Sequence, residues 1–213
     1  MKEQYIYAKN LIDKDLVNYL TSFSLQNAEP VVSRVGAVSM PQDEKTKEFK
    51  GDPQVPQCYA SHSKNSTIYQ HLIHFLKPRI EEETGLSLKP IFCYNRIYIA
   101  GATLEKHKDR PTCEISVSLS LNFSYVNKNY KWPLCIEDTP IIINTGDGVI
   151  YEGSKVDHWR PVFTQPKPSW HHQAFLQYVN KNGLHKDLKE EIGNVLNPFI
   201  PTGVDDGRNQ KFN

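Results

Sequence analysis

The feature that most constrains this chain is a change of period near residue 89. From there to Val179 apolar residues recur at every second position in separate runs: KPIFCYNRIYIAG, CEISVSLSLNFSYV, TPIIINTGDGVIYEG and HHQAFLQYV. The second run is the cleanest, with Ile115, Val117, Leu119, Leu121 and Phe123 alternating with Glu114, Ser116, Ser118, Ser120 and Asn122. Successive side chains of a strand point to opposite faces, so this pattern makes one apolar face as a strand and none as a helix. Gly, Pro, Asn and Asp between the runs supply the turns.

The preceding stretches follow the helical period. In LIDKDLVNYLTSF, Asp13 is placed to cap, and Leu16, Val17, Leu20 and Phe23 form a stripe. In STIYQHLIHFLKPRIEEETGL the stripe is Ile68, Leu72, Phe75 and Leu76; Pro78 kinks the helix or starts a new one, and Gly85 stands where a C-cap glycine belongs. His71 and His74 on this segment have no carboxylate at ligand spacing and read as ordinary surface or core residues. Ala28 to about Tyr59 is irregular and Pro-containing, either a lid or a plain excursion. LHKDLKEEIGNVL reads as a closing helix, followed by a polar tail.

Helices followed by a succession of strands predict an α+β domain, a β-sandwich or barrel packed against N-terminal helices. The 213 residues suit a single domain, with a helical part over about 1–88, a β core over about 89–180 and a helix and tail over 181–213. A formal charge of +1, with basic residues scattered, gives no footprint for nucleic acid or an anionic membrane. No apolar run is long enough to span a bilayer, and MKEQYIYAKN does not resemble a secretory leader. Cys58, Cys93, Cys113 and Cys135 lack C-x-x-C spacing, so reduced buried thiols in a cytoplasmic protein are expected.

Two strand faces carry chemistry. In FCYNRIYIAG, Cys93, Asn95, Ile97 and Ile99 make an ordinary core face, whereas Tyr94, Arg96 and Tyr98 share the other. Lining a cavity, that second face would offer phenol hydroxyls and a guanidinium to an anion. The Ser116–Ser118–Ser120 row reads as a solvent-facing row or as the small polar lining of a pocket.

The stretch LEKHKDRP puts His107 and Asp109 on one side of an extended segment. Later, in TGDGVIYEGSKVDHWRPVF, a Gly-Asp turn leads a strand that Glu152-Gly153 interrupts, and His158 then shares a face with Arg160 while Trp159 points away. Two histidines and one carboxylate, with open positions left on the metal, are the facial ligand set of non-haem Fe(II). Neutral imidazoles and a single anion leave net positive charge on such a metal, which favours an anionic chelating cosubstrate.

H-K-D followed on a later strand by H-W-R resembles the iron(II)- and 2-oxoglutarate-dependent oxygenases, and most closely their compact, prolyl-4-hydroxylase-like bacterial and viral branch. The likeness extends over roughly Pro90 to Val179: YNRIYIAGATLEKHKDRPTCEISVSLSL resembles the strands flanking the ligand turn, GDGVIYEGSKVDHWR the distal-ligand strand, and QAFLQYV the closing strand. It implies a double-stranded β-helix, or jelly roll, with His107, Asp109 and His158 as iron ligands and 2-oxoglutarate and O2 as cosubstrates. Tyr98 or Tyr94 matches a tyrosine that touches the cosubstrate. The family also uses a basic residue on the far carboxylate. PVFTQPKPSWHH holds no arginine, so Arg160 is favoured by geometry, Lys167 comes second by spacing and Arg96 third. For Arg160 the competing role is a salt bridge to Asp157 or Glu152.

The resemblance implies oxidative decarboxylation of 2-oxoglutarate to succinate with hydroxylation of an unactivated C–H bond. The substrate would be a peptide, as in the prolyl hydroxylases, or a free amino acid or other small molecule. Asp109 matters here, because halogenating relatives lack that carboxylate. Arg110 at the rim is a candidate for a substrate anion, or else a partner for Glu114. Two other classes remain: a non-catalytic jelly-roll binding protein, and a cupin-type metal enzyme that does not use 2-oxoglutarate.

Overall fold

The alternating runs become two facing sheets. The structure, a computed structural model, describes residues 4–30, 51–52, 55–56, 58–61 and 67–188. The N-terminal part contains β1 (Tyr5–Ala8), α1 (Lys14–Gln26), β2 (Ala28–Pro30), β3 (Gly51–Asp52), β4 (Val55–Pro56), β5 (Cys58–Ser61) and α2 (Thr67–Thr84). The core follows as β6 (Leu88–Ile99), β7 (Leu104–His107), β8 (Ile115–Ser124), β9 (Leu134–Ile136), β10 (Thr139–Ile141), β11 (Gly148–Tyr151), β12 (His158–Arg160) and β13 (Trp170–Asn180).

The larger sheet has the order β1-β11-β8-β13-β6-β5-β2 and the smaller one β10-β9-β12-β7, all pairings antiparallel. Sequence neighbours such as β6 and β7 lie in opposite sheets, which is the jelly-roll arrangement. The expected α+β double-stranded β-helix is therefore present.

Both helices pack on the outer face of the larger sheet. Val17 and Leu20 of α1 and Tyr69, Leu72, Ile73, Leu76 and Ile80 of α2 are buried against Val117, Leu119, Leu121, Ala174, Leu176 and Tyr178. The Asp13 carboxylate accepts from the Leu16 N–H at 2.8 Å, the predicted cap. Gly85 has φ +68° and its N–H reaches the Glu81 carbonyl at 2.8 Å, the predicted helix stop. α2 runs on through Pro78 as one helix, and no described helix is long and apolar enough to cross a membrane.

Three expectations differ from the structure. Phe75 is 68% exposed, although Leu72 and Leu76 of the predicted stripe are buried, because the face that meets the sheet also takes in Tyr69, Ile73 and Ile80. The region around Ala28 to Tyr59 contributes short strands, with β5 paired to β6 and β2 to β5; the rest of the suggested lid lies outside the described residues. The predicted closing helix begins as turns up to Asp187, and its remainder beyond Leu188 also lies outside the described residues.

The serine row is not solvent-facing. Ser116, Ser118 and Ser120 are fully buried, because the smaller sheet covers their face while the helices cover the other. The space between the sheets divides into an aromatic cluster (Tyr98, Tyr125, Trp132, Phe163, Phe175) and an aliphatic one around Ile136, Ile141 and Val149. The four cysteines are free and buried, as expected.

Candidate metal centre and the buried arginine behind it

Antiparallel pairing of β12 with β7 places His158 directly opposite His107. Farther along, Arg160 pairs with Leu104, so β7 accommodates one extra residue across that interval. Such a bulge cancels one step of alternation and lets both Leu104 and His107 line the same cavity. Asp109 follows in a turn pinned by its N–H to the Gly153 carbonyl at 2.9 Å.

The three side chains converge. His107 Nε2 lies 3.6 Å from Asp109 Oδ1 and His158 Nε2 lies 3.6 Å from Asp109 Oδ2. One ligand atom from each residue falls within 4.8 Å of the others. The Nδ1 positions face the backbone carbonyls of Glu105 (2.7 Å) and Val156 (3.2 Å). Donating Nδ1–H there fixes the tautomer and leaves both Nε2 lone pairs turned to the centre, the donor set a divalent metal needs. Burial alone would raise the Asp109 carboxyl, but His107, His158 and the Ser116 hydroxyl hold it well below the usual carboxylate range. His107 is raised: burial works against its charge, but Asp109 and the Glu105 carbonyl prevail.

Gly153 closes this corner by close approach. A Cβ there would overlap Ser116 Oγ and stand 2.5 Å from Asp109 Oδ2 and 2.8 Å from the Cys113 carbonyl. The cavity beside the triad is lined by Tyr94, Arg96, Leu104, Tyr151, Phe175 and Gln177 in addition to the three ligand candidates. Tyr94 stacks on Phe175 at 4.8 Å, and Arg96 lies over Tyr94 at 5.3 Å. The Tyr–Arg–Tyr face thus points inward, as its cavity reading required.

Behind this lies Arg160, only 1% exposed. Nη1 donates to the Trp132 carbonyl at 3.1 Å, Nη2 donates to Gln173 Oε1 at 2.5 Å, and the guanidinium carbon sits 4.5 Å from the Trp132 ring centroid. Gln173 Nε2 donates in turn to Ser118 Oγ. Neither suggested salt bridge forms: Asp157 pairs with Lys106 and Glu152 with Lys155. Among the described residues no carboxylate pairs with Arg160, and burial lowers its pKa. A desolvated cation without an anion is costly, by several kcal/mol.

Its surroundings are similarly incomplete. Arg160 Nε, Tyr98 Oη, His171 Nε2 and Ser120 Oγ are buried without hydrogen-bond partners. Register brings them together: His171 pairs across from Tyr98, and Gln173, which holds Arg160, pairs across from Ser120. The Trp132 ring lies 4.9 Å from Tyr98 and 5.3 Å from His171. Burial, reinforced by Arg160, keeps His171 neutral. Lys167, by contrast, is exposed on the loop before β13, and Arg110 is exposed with its guanidinium 4.9 Å from the Phe92 ring. Glu114 accepts from the Asn180 N–H.

Ser116 takes the pocket-lining reading of its row, and residues that the sequence reading missed complete the surroundings: Tyr151, Phe175, Gln173, Gln177 and Trp132. The two glutamines carried a signal, since they stand four apart on one face of an otherwise apolar strand. Trp132, in the loop before β9, carried none.

No family model matches the chain, and no curated sequence does. Solved structures do match in fold. A prolyl-4-hydroxylase of Pseudomonas putida aligns with TM-score 0.53 at 14% identity, over 83% of this chain and 93% of that one. The viral collagen prolyl hydroxylase of Paramecium Bursaria Chlorella virus-1, in its 2-oxoglutarate complex, gives 0.54 at 8% identity over 83% and 96%. HygX of Streptomyces hygroscopicus, solved with nickel, 2-oxoglutarate and hygromycin B, gives 0.58 at 9% identity over 84% of each chain. The fold is that of the 2-oxoglutarate and Fe(II) oxygenases, prolyl 4-hydroxylases among them.

Proposed function

We propose that this chain is an Fe(II)- and 2-oxoglutarate-dependent dioxygenase that hydroxylates an unactivated C–H bond of a peptide, in the manner of a prolyl hydroxylase, or of a free amino acid or small molecule. The observation that carries the reading is the buried Arg160, with no carboxylate partner among the described residues, set behind a His107–Asp109–His158 triad with both Nε2 atoms turned inward. A metal alone would need the triad and leave the arginine unexplained. A dicarboxylate that chelates through one end and is gripped at the other accounts for both.

His107, Asp109 and His158 would hold the iron. Arg160 would bind the far carboxylate, with Trp132 and Gln173 fixing its guanidinium, and Tyr98, Ser120 and His171 offering their unused polar atoms. Tyr94 and Arg96 line the approach beside Leu104, Tyr151 and Phe175, whose apolar surfaces limit water near the centre. The bound metal and cosubstrate supply the oxidation, in which 2-oxoglutarate is decarboxylated to succinate and CO2 and oxygen from O2 enters the substrate. Arg110 at the rim is the proposed contact for an anionic group of the substrate. The free buried cysteines favour a cytoplasmic location.

The test is an anaerobic titration with Fe(II) followed by 2-oxoglutarate, watching for the visible charge-transfer band of a chelated keto acid. The band is expected in the wild type and absent in Asp109→Ala. A wild type with no band and no gain in stability from the pair would return the barrel to a binding role. Metal binding without 2-oxoglutarate consumption would favour a cupin-type enzyme. A product heavier by one oxygen identifies hydroxylation.

A further inference from the structure

Ser116 sits at the base of the metal centre with more acceptors than it can serve. Its Oγ is 2.9 Å from Asp109 Oδ2, 2.6 Å from Gln177 Oε1 and 3.3 Å from the Cys113 carbonyl. A serine hydroxyl carries one proton, so three acceptors cannot all be satisfied. The Asp109 carboxylate, whose two oxygens also face the His107 and His158 imidazoles, offers the strongest claim on it. Gln177 is 2% exposed and would then face the hydroxyl oxygen with its own oxygen, lone pair to lone pair. Turning the Gln177 amide by half a turn keeps its shape and brings Nε2 to Ser116.

We infer that Gln177 and Ser116 form a directional relay, Gln177 N–H to Ser116 Oγ and Ser116 O–H to Asp109 Oδ2, that positions the metal-binding carboxylate. Gly153 is its fourth member. It accepts the Asp109 N–H and leaves the carboxylate just enough room against Ser116. With Oδ2 engaged by the relay, Oδ1 keeps its lone pairs for a cation. The relay joins two strands, since Ser116 on β8 pairs in register with Gln177 on β13. Neither residue is a ligand; both act through Asp109. This rests on the metal-centre reading above.

Co(II), used anaerobically as the probe, reports affinity by titration and ligand geometry by its visible bands. Ser116→Ala should weaken Co(II) binding by roughly 10–100-fold, the usual cost of an outer-shell partner, and alter the band shape. Gln177→Met, similar in length but without a donor, should weaken binding less and in the same sense. Because Gln177 acts through Ser116, the double variant should bind as Ser116→Ala does. Ser24→Ala, equally buried but bonded to Tyr69 under the helices, should leave Co(II) affinity unchanged. Wild-type affinity and spectrum in Ser116→Ala would overturn the relay, as would an undiminished Gln177 effect in the double variant. Should Ser116→Ala fail to fold, unchanged affinity in Gln177→Met overturns it alone. Failure of the wild type to bind Co(II), or binding unaffected in Asp109→Ala, would instead defeat the metal centre itself.

Discussion

The two faces of β13 are equally buried and chemically opposite. Toward the helices it presents His172, Ala174, Leu176 and Tyr178; toward the barrel it presents His171, Gln173, Phe175 and Gln177. The adjacent histidines show the difference. His172 has Tyr69 Oη at 3.1 Å from Nε2 and Thr21 Oγ1 at 3.4 Å from Nδ1. His171 has Tyr125 Oη at 2.6 Å from Nδ1, and its Nε2 has no partner. On β13 the outer histidine is bonded at both nitrogens, while the inner one leaves Nε2 unpaired beside Arg160, Tyr98 and Trp132. Burial alone does not separate the two histidines; their hydrogen bonding does.

The largest test of that contrast is His158→Ala. Removing a ligand should weaken Fe(II) binding by more than the roughly 100-fold of an outer-shell change and abolish succinate formation; a variant that still turns over 2-oxoglutarate would sink the triad. Next, Arg160→Ala should raise the 2-oxoglutarate requirement by roughly 30- to 5,000-fold, from about 2–5 kcal/mol for truncating a buried charge. Lys167→Ala should change it less than about twofold, as exposed positions do. Equal or reversed effects, read from succinate kinetics, would transfer the anchor.

On the outer face, Leu176→Ala should cost about 2–5 kcal/mol of stability by denaturant melt, with Co(II) affinity unchanged in the folded protein. Metal loss without a stability change would break the division between faces. The smallest effect concerns pH. Burial pushes His172 down to about 3, below its ordinary value of about 6.5 in an unfolded chain. The folded state therefore binds fewer protons through this window, and stability rises with pH across it and is lost as pH falls. At pH 5 the loss from this residue is about 2 kcal/mol. His172→Asn should flatten the slope between pH 6.5 and 4; an unchanged slope would remove His172 from the account.

The convergence of His107, Asp109 and His158 was legible from the H-x-D spacing and the resemblance, although Asp109 stands in a turn past the end of β7 rather than on the strand. The inward Tyr94–Arg96–Tyr98 face was legible because strand alternation is a local fact. Ser116 remained ambiguous because alternation shows that a row is polar but not whether water or a second sheet covers it. Trp132 was invisible, since its place beside Arg160 depends on strands that pair across long sequence separations. The helical stripe misled at Phe75 because the sheet meets a face of α2 that also takes in Tyr69, Ile73 and Ile80, and the count along the sequence could not show where that face is centred. The extra residue in β7 could not be read either: a bulge shows only when two strands are laid side by side.

One short strand has a further consequence. β12 is three residues long and carries His158 and Arg160 two positions apart on the same side. The triad and the buried arginine therefore share one lever, and a displacement of this strand moves both. Whatever clamps the arginine steadies the histidine. Iron and 2-oxoglutarate should each tighten the other's hold by the same factor, as reciprocity between linked sites demands, with a three-residue strand as the mechanical link between them.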